Sequence, residues 1–212
     1  MEKMPYQDQL RITAESIPFG WSFGLPTLSG EKVTLREVRV SDAPALLAML
    51  TSEEVAEFVS PLPRTVEGFE EFIAEAHYER ARGNSFCFGV VPDGYEDAMG
   101  LFQVRQLEPG FGSAEWGFAI GSPFWGRGVF IHSAKAVIDF SFGVVGVNRL
   151  EARSIASNSR GNAALRKVGA LQEGILRRSF QRNGRYFDQI LWSLLKDDWR
   201  QPKAAAWGPK LH

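Results

Sequence analysis

Three residues in the middle of this 212-residue chain, Gly126-Arg127-Gly128, have the makings of an anion cradle. Glycine lets the main chain approach a ligand with no side chain in the way. An apolar pattern with helical period follows over residues 129–142. The first N–H groups of a helix have no partners inside it, and the helix dipole favours an anion beyond them. The expected chemistry is the grip of a diphosphate. Two familiar phosphate loops are excluded. No Gly-Lys-Ser/Thr follows the turn, and the position three after Gly128 is Ile131, where a dinucleotide fingerprint needs Gly or Ala. Other reactive residue types are sparse. Cys87 lies in the apolar run Phe86-Cys87-Phe88 and reads as a buried small side chain. His77, His132 and His212 have no metal-ligand spacing to one another, so no metal is expected. The basic run Arg177, Arg178, Arg182 and Arg185 reads as a solvated face, or else as a contact for a phosphate or an acidic substrate.

The turn must be presented by a strand before it and a helix after it. Alternation of apolar and polar residues predicts a strand at residues 32–38. Helices are predicted at 41–50, with Pro44 in the first turn, and after Thr65, where Phe69, Phe72, Ile73 and Ala76 fall on one face. Strands follow at 85–91, 99–107 and 113–121, then the helix after the turn, a strand at 148–156 and a short helix at 162–168 stopped by Gly169. The chain closes with a hairpin, residues 171–180 and 186–195, turned at Arg182-Asn183-Gly184. Residues 1–30 carry many prolines and glycines and read as an irregular arm whose Phe19, Trp21, Phe23 and Leu25 pack on the body or on a second subunit. Residues 31–199 form one domain, and 200–212 a tail.

The net charge of −1 excludes a broad basic surface for nucleic acid. There is no apolar signal core and no run of about 18–20 apolar residues, which predicts a cytoplasmic protein without a membrane span.

Taken in order, Ala114-Glu115-Trp116-Gly117-Phe118-Ala119-Ile120, Phe124-Trp125-Gly126-Arg127-Gly128 and Asn158 through Lys167-Val168-Gly169-Ala170 resemble the GNAT acetyltransferases, and most of all their RimJ and RimL branch. Glu173-Gly174, Leu176-Arg177, Asp188 and Leu194 to Trp199 fit at the expected spacing, so the resemblance spans about residues 35–199. It implies an α/β (α+β) fold, with a mixed, mostly antiparallel sheet of six to seven strands flanked by about four helices.

The resemblance also implies acetyl-CoA as co-substrate, lying between two strands that splay apart, residues 113–121 and 148–156. Backbone groups of Phe118, Ala119 and Ile120 would bind the pantetheine amides, and the same segment would supply an N–H to the oxyanion. Amides of Trp125, Gly126, Arg127, Gly128, Val129 and Phe130 would bind the diphosphate. Asn158 would bind the pantetheine arm with help from Asn162; Asn158 could equally be a helix cap, and Phe118 and Ile120 could be core residues. Glu115 aligns with a strand glutamate that acts as general base, which makes Glu115 and Asn158 the catalytic expectations. A strand glutamate paired with an arginine is the other reading, and Glu151 is a second base candidate. The tyrosine general acid common in the family is replaced here by Leu165, Gly161 stands where serine is common, and Ala170 stands where phenylalanine is usual. The implied activity is direct acetyl transfer, in a ternary complex, to a primary amine: a protein N-terminus or a small molecule. The alternatives are a non-catalytic acyl-CoA sensor and an interaction module. The protein is expected to be a monomer or a homodimer.

Overall fold

In the computed structural model, which describes residues 20–59 and 62–200, the chain forms β1 (Leu28–Ser29), β2 (Val33–Glu37), α1 (Ala43–Leu50), α2 (Glu53–Ala56), α3 (Val66–Ala81), β3 (Ser85–Pro92), β4 (Gly100–Gln106) and β5 (Ser113–Ile120). It continues with α4 (Val129–Phe140), β6 (Arg149–Ile155), α5 (Ser159–Val168), β7 (Leu171–Arg182), β8 (Arg185–Leu195) and α6 (Lys196–Arg200). All eight strands join one sheet in the order β1-β2-β3-β4-β5-β6-β8-β7. Only the β5–β6 pair is parallel. This is the expected mixed, mostly antiparallel fold with one strand more than the sequence suggests. The extra strand is β1, two residues of the arm that pair Leu28 with Leu35.

Local chemistry accounts for the element ends. The Thr65 hydroxyl accepts the Gly68 N–H at 3.0 Å and caps α3, whose Phe69, Ile73 and Ala76 are buried. The helical pattern predicted to residue 142 closes its α-helix at Phe140. Ser141–Val145 continues it as one wider π turn, in which the Ser141 hydroxyl donates back to the Val137 carbonyl at 2.7 Å.

Strand side chains alternate between the two faces of the sheet, and each face has its own core. On one face, α1 and α3 bring Leu46, Leu50, Phe69 and Ile73 onto Cys87, Leu101 and Ala119. On the other, α4 and α5 bring Val137, Phe140 and Leu165 onto Phe86, Phe102 and Trp116. The arm seals this second core. Trp21 packs edge-on against Phe86 and Phe111 with ring centroids 5.6 and 5.4 Å away. Leu25 packs there too, while Phe23 stays largely exposed. Phe19, His212 and the tail from 201 lie outside the described residues.

A buried ion pair ties the first helices to the sheet. Asp42 is fully buried and accepts both Arg36 guanidinium nitrogens, at 2.7 and 2.8 Å, and the main-chain N–H groups of Arg39 at 2.7 Å and Ala98 at 3.0 Å.

Candidate active site

The parallel β5–β6 ladder holds for three rungs, Ser113 opposite Arg149, Ala114 opposite Leu150 and Glu115 opposite Glu151, and then the strands part. From Trp116 onward β5 pairs only with β4, and from Ala152 onward β6 pairs only with β8. Each therefore offers one strand edge of unpaired main-chain groups, which demand partners. Between the parted strands lies a cavity of about 240 Å³. Residues from both cores reach it: Trp116, Ala152 and Leu165 from one face, and Leu62, Phe72 and Leu101 from the other.

At the mouth of the splay the chain leaves β5 through a short 3-10 turn at Ser122–Phe124 and enters the glycine turn. Trp125 anchors this passage. Its indole N–H donates to the Ile120 carbonyl at 2.8 Å, and its own amide donates to Ser122 at 3.1 Å. His132 is the first residue to close a helical bond, to the Gly128 carbonyl at 3.2 Å. Between these points the amides of residues 126–131 crown the N-terminus of α4, where no side chain caps the helix. Gly126 and Arg127 are exposed, and Gly126 has φ of +73° with open space where a Cβ would stand. The side chains of Phe118 and Phe130 are turned to packing. Their rings lie 4.6 Å apart, and Phe118 stacks on Phe102 at 5.4 Å. Ile120 and Val129 are buried in the same core. At Ile120 and Val129 the main chain is what remains to meet a ligand, while the half-buried Phe118 also lines the cavity.

Across the mouth, Asn158 caps α5, its side-chain oxygen accepting the Gly161 N–H at 2.8 Å, and it also lines the cavity. Asn158 is thus a helix cap that also stands in the cavity wall. A Cβ on residue 161 would come to 2.5 Å from the Asn158 amide nitrogen, so the Asn158 side chain would have to shift to accommodate one. Asn162 is buried and fully engaged. It donates to the carbonyls of Ile155 and Ala156 at 3.0 and 3.3 Å and accepts the Trp192 indole N–H at 3.0 Å. It joins β6, α5 and β8 and is not among the cavity-lining residues.

Glu115 sits at the closed end of the splay. Its carboxylate is paired with Arg105, its neighbour across the β4–β5 register, and Arg153 of β6 approaches at 3.7 Å. Glu151 is held by Arg149 at 2.9 Å. Neither carboxylate lines the cavity. Of the two roles the sequence leaves open for Glu115, this geometry favours the arginine-paired one. Cys87 is buried 3 % exposed in the core away from the cavity, and burial, with the Glu37 charge, pushes its thiol up to about 12. It has no thiolate to offer.

The contact of Arg160 with Trp125 carries no signal in the sequence. The Arg160 guanidinium lies 3.8 Å over the Trp125 ring and bridges the starts of α4 and α5. The hairpin closes over the cavity: Phe180 and Gln189 line it, and the loop after α2 supplies Phe58 and Val59. Arg182 latches the two together by donating to the Ala56 carbonyl and, at 3.4 Å, to the Val59 carbonyl. Ser154 also lines the cavity. Its hydroxyl is buried with no partner among the described residues, a state that costs about 1–3 kcal/mol when nothing answers it.

With this geometry in view, the comparison with known proteins is direct. Residues 32–171 match the acetyltransferase (GNAT) domain. The chain belongs to the GNAT acetyltransferase family. Among similar proteins, the uncharacterized N-acetyltransferase p20 of Bacillus licheniformis is 26% identical over 176 residues, covering 82% of this chain and 99% of that one. Among solved structures, the ribosomal-protein-S5-alanine acetyltransferase of Vibrio fischeri superposes with a TM-score of 0.73 at 23% identity, covering 82% of this chain and 99% of that one. RimJ of Mycobacterium smegmatis, solved with CoA-disulfide, gives 0.71 at 23% identity, covering 80% and 84%. The RimJ/RimL-like resemblance therefore holds at the level of the fold.

As a GNAT protein the chain is an acetyl-CoA-dependent N-acetyltransferase. Its residues suit that co-substrate: an open cradle beside Gly126 and a free edge on each of two strands. The Arg182 latch makes a prediction for this GNAT site. Arg182→Ala should raise the acceptor KM about tenfold, the worth of one charge-assisted hydrogen bond. Isothermal titration should give an unchanged Kd for acetyl-CoA. A matching loss of acetyl-CoA affinity would show that the latch does not act on the acceptor side alone.

Proposed function

We propose that this GNAT enzyme transfers the acetyl group of acetyl-CoA directly to the α-amine of a protein or peptide N-terminus, with both substrates bound at once. The observation that carries the reading is the composition of the cavity. Among its lining residues there is no carboxylate, imidazole or thiol, its walls include Phe58, Leu62, Phe72, Leu101 and Phe180, and its one charged group is Arg153.

A cavity of this kind repels a bound cation and offers no base to neutralise it. An alkylamine with a pKa near ~10.4 would have to shed its proton at a cost that an α-amine, near ~7.7–8.0, largely avoids. The acceptor therefore enters as the neutral amine, having lost its proton to solvent, and no acyl-enzyme is required. Amides of residues 125–130 hold the diphosphate, and Asn158 meets the pantetheine arm beside the main chain of Phe118 to Ile120. An N–H of that same segment faces the oxyanion. Glu115 serves to clamp β4, β5 and β6. The similar proteins named as ribosomal-protein acetyltransferases support a protein acceptor.

Release of free CoA thiol over a panel of amines tests this. A peptide with a free α-amine should exceed spermidine, and a lysine ε-amine in an N-blocked peptide, by about thirtyfold in kcat/KM near neutral pH, part of the ~2.5-unit difference in amine pKa. With the peptide, kcat/KM should rise with pH to a plateau at the acceptor's own pKa, and Glu115→Gln should keep that profile. Spermidine turning over as fast as the peptide, or a profile lost in Glu115→Gln, would overturn the acceptor or the proton route respectively. No thiol release with any amine would overturn the whole reading.

A further inference from the structure

Glu115 stands against two arginines. Arg105 donates a hydrogen bond to it, whereas the Arg153 Nε stops at 3.7 Å, beyond hydrogen-bond reach. The neighbouring carboxylates are taken, because Arg149 donates to Glu151 at 2.9 Å and to Glu173 at 2.8 Å. Arg153 is therefore left with a shared counter-ion, and its guanidinium makes no hydrogen bond among the described residues. Its side chain is 40% exposed, and among the described residues that line the cavity it alone carries a charge.

Its position fixes what it can meet. Strand alternation puts Glu115, Gly117 and Ala119 on one face of β5, the face that α1 and α3 cover, and the approach of Arg153 to Glu115 puts the arginine on that face too. The loop after α2 brings Phe58 and Leu62 to this part of the cavity. Gly117 is exposed, and no protein atom lies within 4 Å of where its Cβ would stand. The wall beside the arginine is thus open where any other residue would fill it. A half-solvated guanidinium with an unfilled fork gains most from a carboxylate, which can take two parallel N–H···O bonds. A neutral side chain offers it less, and a cation is repelled.

We propose that Arg153 is a specificity-determining residue of the acceptor site and binds an Asp or Glu side chain within the first two residues of the acceptor peptide. The proposal rests on the N-terminal transfer reading above and names the peptide class that reading leaves open. The acid must come early in the peptide, because Arg153 and the parted strands line one cavity, so the group the arginine holds lies close to the reacting amine.

Peptides of one length that carry Glu, Gln or Lys at the first or the second residue test this with acetyl-CoA. For wild type, Glu at one of these positions should exceed Gln by about tenfold in kcat/KM, with Lys lowest. Arg153→Gln keeps the length of the side chain and should bring Glu and Gln within about twofold, and Arg153→Glu should rank Lys above Glu. Both variants should melt near the wild-type temperature and hold acetyl-CoA within about twofold of the wild-type Kd. Independently of turnover, the N-acetylated Glu peptide titrated into protein saturated with CoA should bind about tenfold more weakly to Arg153→Gln than to wild type. A flat ranking in wild type, a ranking that survives Arg153→Gln, or equal binding of the acetylated peptide to both proteins would overturn the assignment. The titration judges Arg153 even if wild type releases no thiol with any peptide; that failure would count against the N-terminal transfer reading instead.

Discussion

Gly126→Val should weaken acetyl-CoA binding by about 100-fold, or ~2.7 kcal/mol, in a protein that still folds. Two physical effects combine. Residue 126 has φ of +73°, a region in which a β-branched side chain is a genuine outlier. Either valine strains the turn or the turn relaxes and carries the amides of residues 126–131 out of alignment. If the turn holds, the valine methyl groups enter the space beside Gly126 in which no protein atom lies within 4 Å, and that is the space assigned to the diphosphate. Neither effect reaches the core, because Gly126 is exposed and Trp125 anchors the passage independently. Isothermal titration with acetyl-CoA, beside a thermal melt, checks this. A folded variant with wild-type affinity would remove the glycine turn from the coenzyme site.

The second large effect concerns stability. Asp42→Ala should cost about 3–5 kcal/mol, because it leaves the buried Arg36 guanidinium without its counter-ion. It also strips an acceptor from the N–H groups of Arg39 and Ala98. For a domain of this size the melting temperature should drop by about 10 °C, at roughly 2–4 °C per kcal/mol. The same site sets a pH dependence. Burial pushes the Asp42 carboxyl up, but the Arg36 fork, the two main-chain N–H groups and the Arg36 charge together pull it below the ordinary carboxylate value. A carboxylate whose pKa is depressed by folding contributes in full above its unfolded pKa of ~3.9, and that contribution is lost as the pH falls through the lower folded value. Wild-type melting temperature should therefore fall in acid below about pH 4, and Asp42→Asn should lack that part of the slope. Equal stability of Asp42→Ala and wild type at neutral pH would contradict the buried-pair account. Since Asp42 lies outside the cavity, acetyl-CoA affinity measured well below the melting point should not move.

These two positions differ in how visible they were beforehand. The turn at 126–128 was legible because its signal is local: two glycines, a helical period behind them and a strand before. The order of elements was legible for the same reason, since period 2 and period 3.6 can be read within a short window. The Thr65 cap, the Asn183-Gly184 hairpin and the helix stop at Gly169 belong to this class, and all three are present in the structure. The arm's two-residue strand was not, because pairing Leu28 with Leu35 depends on a partner edge and not on any property of two residues.

The pairing of Glu115 with Arg105 was within reach. The turn at 109–112 centres the β4–β5 hairpin so that residues 105 and 115 face each other. The approach of Arg153 was not, because it depends on the parallel join of β5 to β6 through a helix between them. The sequence by itself thus determined the elements, the glycine turn and, through the order of its motifs, the family. Only the tertiary structure decided where the implied splay begins, after Glu115 and Glu151, and that Arg182 draws the loop after α2 over the gap. Elements follow from neighbours along the chain, which repeat with a readable period. The contents of the cavity follow from strand register and crossover, which bring together side chains tens of residues apart and leave no periodic trace.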